Sequence, residues 1–292
     1  MTELLQATIN GVAIGGFYGS VALGFSLVWG VLGVINLAHG ELVMVGAYLT
    51  WIMHRNHGWD PFAAVVVVVP VMFVVGYVLQ RMLINRVIDK PHLTALLVTF
   101  ALSIIISNVV KLRYAGTPRS VRAAWSGSWR HGDVTIPVTR FWVLVFTVVL
   151  MLALWAFLRY SRLGAAIRAA SQNREAARIV GIDIGRVFAL TFGIGAALAG
   201  IAGMLASPLL PVFPTMGPPL TLRSFAIVAI AGLGRIHGAL LGGIVLGLVE
   251  QYVATYVPEY GTTLGIIASF ALLVTILVLR PRGLFGGLRP AH

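Results

Sequence analysis

Long stretches without a charged residue alternate with short clusters of arginine along the chain. Most of these stretches reach the roughly 20 apolar residues that a helix needs to cross the hydrocarbon core of a bilayer. Hydrocarbon cannot hydrogen-bond the backbone, and the apolar character is continuous rather than alternating, so helices are predicted rather than strands. The pattern therefore predicts an all-α, polytopic transmembrane bundle. The charge-free stretches cover residues 4–40, 61–80, 91–110, 141–158, 187–222 and 260–279.

We predict eight or nine membrane segments, some of them re-entrant or broken helices, in a single domain over residues 1–292. The segments at 34–53 and 222–234 are short or interrupted by glycine, which is typical of half-helices. Five prolines between Ser207 and Leu220 argue against a regular helix there. The predicted segments lie at about 5–30, 34–53, 62–82, 92–112, 139–158, 187–207, 222–234, 237–256 and 262–280.

Small residues recur at a spacing of four along several of these segments, for example at Gly11, Gly15 and Gly19. The same spacing relates Ala196 to Gly200 and Gly243 to Gly247. Helices in lipid associate where small residues allow the backbones to approach closely. We therefore expect these stripes to pack helices tightly rather than to bind a ligand.

The arginine clusters predict the orientation of the bundle. They occupy the connections 81–90 and 159–186 and the tail 280–289. Because cytoplasmic loops are enriched in Lys and Arg, all three are placed in the cytoplasm, which agrees with nine crossings and an outer N-terminus. The connection 111–140 is also basic and would lie outside, and one re-entrant segment would reverse the side of the N-terminus. An even and an odd number of crossings, and hence an inner and an outer N-terminus, both stay open.

Composition and motifs limit the chemistry that the chain can perform. The net charge of +12 is explained by the basic connections, so no nucleic-acid partner is expected. Both lysines, Lys90 and Lys111, lie outside any glycine-rich phosphate-binding loop, so ATP hydrolysis would have to come from another chain. Convergent titratable groups are missing, so no catalytic residue, cofactor or metal site is expected.

The basic stretch after residue 161 is rich in alanine and predicts a short helix from about Ala165 to Val180. Gly181 is suited to end this helix, and Asp183 to cap the next one. One interpretation is an ordinary amphipathic loop helix. The other is a docking helix that transmits force from a partner.

Polar residues also occur at Asn36, His39, Gly40 and Glu41, inside an apolar region. Polar groups at membrane depth are costly and tend to mark a translocation path or a functional helix break. A connection at the bilayer surface would need only a turn-forming glycine and solvated side chains, and we favour this surface turn slightly. Ser103 and Ser107 are expected to bond their own helix backbone, since neither has an acid–base partner in its own segment.

Four blocks of the chain, taken in order, resemble a known family. They are residues 10–49 with the NLAHGE turn, 162–205, 225–250 and 280–286. Together they resemble the inner-membrane permease of bacterial ABC importers for branched-chain amino acids, the Liv type H subunit, over almost the full length. Arg235 and His237 stand where small residues or proline are more usual in that family, which leaves the exact substrate open.

The resemblance implies a function and a set of partners. Arg174, Glu175, Ala176 and Ala177, followed by Gly181, are similar to the coupling motif by which such permeases dock on an ATPase. The implied partners are a second related permease, two cytoplasmic ATPase subunits, a periplasmic substrate-binding protein and the lipid bilayer. Branched-chain amino acids are the leading substrate. Alternatives are urea or short amides, and a stand-alone secondary transporter or channel.

Overall fold

A computed structural model of the chain describes residues 2–132, 134–232, 236–257, 259–280 and 283–284. It is a helical bundle with one small hairpin, which confirms the predicted all-α membrane architecture. Short 3₁₀ turns at Pro61–Ala64 and Ile84–Arg86 flank the third helix. The helices are α1 (Thr2–Leu32), α2 (His39–His57), α3 (Val65–Met82), α4 (His92–Tyr114), α5 (Val138–Tyr160), α6 (Arg162–Gln172), α7 (Arg174–Ile179), α8 (Ile184–Ala206), α9 (Gly217–Ala231), α10 (Ile236–Tyr256) and α11 (Gly261–Leu279). The antiparallel hairpin joins β1 (Ser128–His131) to β2 (Val134–Pro137).

Each of the nine predicted membrane segments corresponds to a helix. Among the described residues, 6 helical stretches are long and apolar enough to cross a membrane: α1, α3 with its flanking turns, α4, α5, α8 and α10. Helices α9 and α11 are apolar but shorter. Helix α2 has 19 residues, and it carries Glu41 and Arg55 in addition to histidines.

The contacts at the two ends of the bundle agree with nine segments. Gln6 near the N-terminus exchanges hydrogen bonds of 2.8 Å with the backbone of Thr135 in the hairpin. At the opposite end, Arg174 donates to the carbonyl of Leu32, where α1 ends. The N-terminus and the arginine-rich connection therefore lie on opposite faces, as the nine-crossing orientation requires.

The centre of the bundle is formed by α1 and α8, which are buried over 89% and 83% of their most apolar stretches, against 28% or less for α3, α4 and α5. Glycines bring α1 and α10 together, as their spacing predicts. A Cβ atom on Gly15 would lie 2.6 Å from the Cα of Ile244, and one on Gly11 would lie 2.9 Å from the Cα of Leu248. Only glycine permits backbones to approach so closely.

The proline-rich connection is irregular only in part. Pro208, Pro211 and Pro214 lie between α8 and α9, as expected, but Pro218 and Pro219 lie in the first turn of α9. The first turn tolerates proline because its amide groups have no partner within the helix. The expectation of an irregular chain up to residue 219 was therefore wrong for the last two prolines.

Candidate functional site

The chain leaves its helical conformation between α1 and α2 and re-enters the bundle before α2 begins. His39, the first residue of α2, has its ring Nε2 2.8 Å from the carbonyl oxygen of Val21 in α1. Since Val21 lies 11 residues before Leu32, this contact is about 16 Å from the end of α1 at 1.5 Å per residue. Helix α2 thus starts near mid-depth in the bundle, and Asn36 stabilises the turn by accepting a 3.0 Å hydrogen bond from the amide of Ala38.

The N-terminus of α9 meets the N-terminus of α2 at this depth. The amide of Gly40 donates to the hydroxyl of Thr221 at 2.8 Å. A Cβ atom on Gly40 would collide with the carbonyl oxygen of Gly217, and one on Gly217 would lie 2.9 Å from the carboxyl carbon of Glu41. We call residues 36–41 and 217–221 the helix junction. From it, α2 and α9 run towards opposite faces of the bundle.

Glu41 places its carboxylate at the helix junction and is 0% exposed. Helix N-termini carry a partial positive charge, so a carboxylate between two of them is electrostatically favoured. Its Oε1 accepts a 2.7 Å hydrogen bond from the hydroxyl of Ser103 in α4. No described residue donates a hydrogen bond to its Oε2.

Helix α4 contacts the helix junction through hydroxyl groups at a spacing of four. The amide of Leu37 donates to Thr99 Oγ1 at 3.2 Å, and Ser103 donates to Glu41. One turn further, Ser107 donates to the carbonyl of Pro214 at 2.9 Å. Because α4 is only 22% buried over its apolar stretch, these side chains supply much of its attachment to the bundle.

Two sequence-based expectations are therefore wrong. Asn36, His39 and Glu41 are 2%, 1% and 0% exposed, so they do not form a turn at the bilayer surface. Ser103 bonds a carboxylate from another helix, and Ser107 a carbonyl outside α4, instead of their own helix backbone. The helix break is present at Asn36–Glu41, but these side chains are enclosed by protein, and their place on a translocation path stays a prediction.

The basic connection forms two helices instead of the single helix predicted from about Ala165 to Val180. Asn173 separates α6 from α7 with extended backbone angles, φ −154° and ψ 110°, and its side chain accepts a 3.0 Å hydrogen bond from the amide of Ala176. Asparagine favours such a cap over a helix interior, since its side chain competes for backbone donors. Glu175 lies in the first turn of α7, where a carboxylate is stabilised by the helix dipole.

The end of α7 follows the predicted capping pattern. Gly181 has φ +85°, and Ile182 donates to the carbonyl of Ala177 at 3.0 Å, which is the hydrogen bond of a Schellman motif. Asp183 then caps α8 by accepting a 3.0 Å bond from the amide of Arg186. The positions proposed for coupling to an ATPase thus lie in one capped unit, residues 162–181, which comprises α6, α7 and the capping glycine and which we call the coupling segment.

One residue of the coupling segment holds the bundle, while others point outward. Arg174 donates to the carbonyl of Leu32 at 2.5 Å, and its guanidinium lies 4.9 Å from the ring centre of Phe188. Ala177 is buried, whereas Glu175 and Ala176 are exposed. Ile179 and Val180 are 86% and 74% exposed. The end of α7 therefore presents two adjacent large apolar side chains to solvent.

A partly buried charge pair between two helices was not found from the sequence. Arg223 of α9 and Glu250 of α10 form a 3.1 Å ion pair, and the hydroxyl of Tyr18 donates to Glu250 at 2.6 Å. Spacing along one helix could not reveal this pair, since its members lie on different helices. His237, one of the two unusual residues of the glycine-rich block, is exposed near Trp155, and Arg235 lies outside the described residues.

Comparison with known proteins shows which family this chain resembles. Residues 7–279 match the model of the family described as branched-chain amino acid transport system / permease component. The chain is 33% identical over 299 residues to the high-affinity branched-chain amino acid transport system permease protein LivH of Escherichia coli strain K12, covering 97% of this chain and 95% of that one.

Other relatives agree with this match. The permease protein BraD of Pseudomonas aeruginosa is 31% identical with the same coverage of both chains. A probable LivH protein of Methanocaldococcus jannaschii is 27% identical over 91% of this chain and 87% of that one. Among solved structures, PsaBC from Streptococcus pneumoniae in complex with Fab aligns with a TM-score of 0.49 at 13% identity over 97% of this chain and 93% of that chain, a similarity too weak to extend the description of the fold.

Proposed function

Since the chain belongs to the permease component family of branched-chain amino acid transport systems, we propose that it is the membrane-spanning subunit of an ATP-driven importer. Its substrates are branched-chain or related small amino acids, carried across a bacterial inner membrane. The energy comes from two cytoplasmic ATPase subunits, because the sequence has no phosphate-binding loop. A second related permease completes the pathway, and a periplasmic binding protein delivers the substrate.

The coupling segment is the observation that carries this proposal. It presents Ile179 and Val180 outward as a small apolar surface, flanked by the exposed Glu175 and Arg178. Burying two such apolar side chains would contribute about 3 kcal/mol or more to an interface. Arg174 ties the same unit to the end of α1, so a partner that moves the coupling segment also pulls on the central helix.

A route for that movement leads from α1 to the helix junction. The coupling segment bonds the last turn of α1, and Val21 of α1 bonds His39 at the start of α2. A displacement of α1 along its axis would therefore strain the junction of α2 with α9. On this proposal Asn36, His39, Gly40 and Glu41 border the translocation path when the junction opens.

The test replaces two positions of the coupling segment, Glu175→Ala with Gly181→Ala. Alanine at Gly181 must adopt the left-handed conformation at a cost of about 1 kcal/mol, which distorts the end of α7. Uptake of radiolabelled leucine is measured in proteoliposomes that contain the complete transporter with ATP inside. We expect ATP-dependent uptake to be abolished while the variant remains in the membrane in normal amount.

A matched control carries the same chemical changes at the other end of the bundle. Glu3→Ala removes an exposed carboxylate, and Gly116→Ala adds a side chain at φ +70° with open space around it. We expect this control to transport normally. Normal uptake by the coupling variant would contradict the proposed ATPase contact, and uptake without any ATPase subunit would establish a stand-alone transporter instead. Competition by excess urea or acetamide, but not by valine, would change the substrate class.

A further inference from the structure

A cavity of about 870 Å³ opens between α1, α5, α6 and α10, at the end of the bundle where the coupling segment lies. It is separate from the helix junction, and the proposed function does not use it. Its size lies within the range of small-molecule sites. Its walls combine cationic, aromatic and apolar side chains, among them Arg159, Trp155, Arg168, His237 and Leu241.

Two basic residues of the cavity, Arg159 and His237, lie close to the indole of Trp155. The Arg159 guanidinium lies 5.8 Å from the ring centre of Trp155 and 5.9 Å from that of Tyr160. The ring of His237 lies 6.2 Å from the same indole, and Arg168 enters from α6. None of the described lining residues is acidic. Two guanidinium groups without a carboxylate partner form a site for an anion, above all for a phosphate.

We propose that this cavity binds the headgroup of an anionic phospholipid. The phosphate pairs with Arg159 and Arg168, which both line the cavity. Leu241 is 45% exposed on a membrane-spanning helix and provides apolar surface for an acyl chain. Tryptophan and tyrosine at the end of a membrane helix are typical of the interfacial level where headgroups lie. Basic pockets between membrane helices are known to select such lipids.

Lipid titration of the purified full-length protein tests the proposal by native mass spectrometry. Phosphatidylglycerol and phosphatidylcholine with identical acyl chains are compared. We expect the first phosphatidylglycerol molecule to bind about thirtyfold more tightly than phosphatidylcholine, the effect of two arginines at a membrane surface. Arg159→Gln with Arg168→Gln should bring the two lipids within about twofold of each other. Arg81→Gln with Arg86→Gln, on another connection of the same face, should leave the preference unchanged.

Equal losses in the two arginine pairs would overturn the proposal, because they would show a general effect of surface charge. Displacement of phosphatidylglycerol by 10 mM inorganic phosphate, roughly a thousandfold excess over lipid, would also overturn it in favour of a soluble anion.

Discussion

The helix junction and the coupling segment differ in the side chains that they bury: the junction buries polar groups, whereas the coupling segment exposes apolar ones. At the junction, polar side chains are buried and bonded to other helices, as His39 is to Val21 and Glu41 to Ser103. In the coupling segment, apolar side chains are exposed and Ile179 is among the most accessible of the described residues. A buried polar group stabilises a fold only when it is paired, whereas an exposed apolar group gains nothing until a partner covers it.

This difference predicts whether a substitution in each region changes the stability of the chain or its transport activity. The junction is complete within one chain, so substitutions there should reduce the stability of the isolated protein. On the proposed function an ATPase subunit covers the coupling segment, so substitutions of its exposed residues should spare stability and reduce transport. The two regions can be separated by measuring the free energy of unfolding and the uptake of substrate on the same variants.

The largest effect is expected from Gly40→Ala at the helix junction. The new Cβ atom would collide with the Gly217 carbonyl oxygen, and neither backbone can move without breaking the contact of α2 with α9. Overpacking of this kind costs about 3 kcal/mol or more when the opposing atom is backbone. Thermal unfolding in detergent measures it. Gly185→Ala is the matched control, because its Cβ would meet only Asp183 Oδ1 at 3.5 Å. Equal melting temperatures of the two variants would refute the close approach.

The next effect is expected from Ile179→Ser with Val180→Ser in the coupling segment. Uptake by the assembled transporter should fall at least about tenfold, since two apolar side chains are lost from the proposed ATPase contact. The free energy of unfolding of the isolated chain should change by less than about 0.5 kcal/mol, because both residues are exposed. Leu112→Ser, at a site 87% exposed at the opposite end, should leave uptake unchanged. A loss of stability equal to that of Gly40→Ala would erase the distinction between the regions.

A smaller effect is expected where the two regions are joined, at Arg174. Arg174→Met keeps an unbranched apolar stem but removes the hydrogen bond to Leu32, which should cost about 2 kcal/mol of stability. It should also reduce uptake per ATP hydrolysed, while the ATPase subunits still co-purify. Arg186→Met changes the charge equally at an exposed position and serves as the control. An unchanged ratio of uptake to hydrolysis would exclude Arg174 from the transmission of force.

Patterns within a short stretch of sequence predicted those features that depend only on neighbouring residues, such as helix positions and helix caps. The apolar pattern located a helix for each of the nine predicted membrane segments, and Gly181 and Asp183 occupy the caps that their residue types favour. Asn173 was missed because the surrounding alanines favour one continuous helix. Its signal was present, since asparagine followed by an acidic residue in the next turn is typical of a helix start.

The helix junction could not be predicted in the same way, because its depth is set by residues distant in sequence. Gly40 is bonded to Thr221, 181 residues later, and Glu41 to Ser103, 62 residues later. A turn of Asn, His, Gly and Glu suits a solvated surface as well as a buried helix start. Only the tertiary contacts distinguish the two, and no spacing within residues 36–41 reports them.

The smallest effect is expected from Ser103→Ala, which tests how α4 is held to the helix junction. A hydrogen bond between membrane helices contributes about 0.6 to 1.7 kcal/mol, and this one serves a carboxylate, so a loss near the upper limit is expected. Ser269→Ala removes a hydroxyl that bonds only its own helix, at Gly265, and should cost a few tenths of a kcal/mol by comparison. Chemical denaturation of both variants in detergent gives the difference directly. If the two variants lose the same free energy, the Glu41 carboxylate is stabilised by the helix N-termini alone, and α4 is held by Thr99 and Ser107.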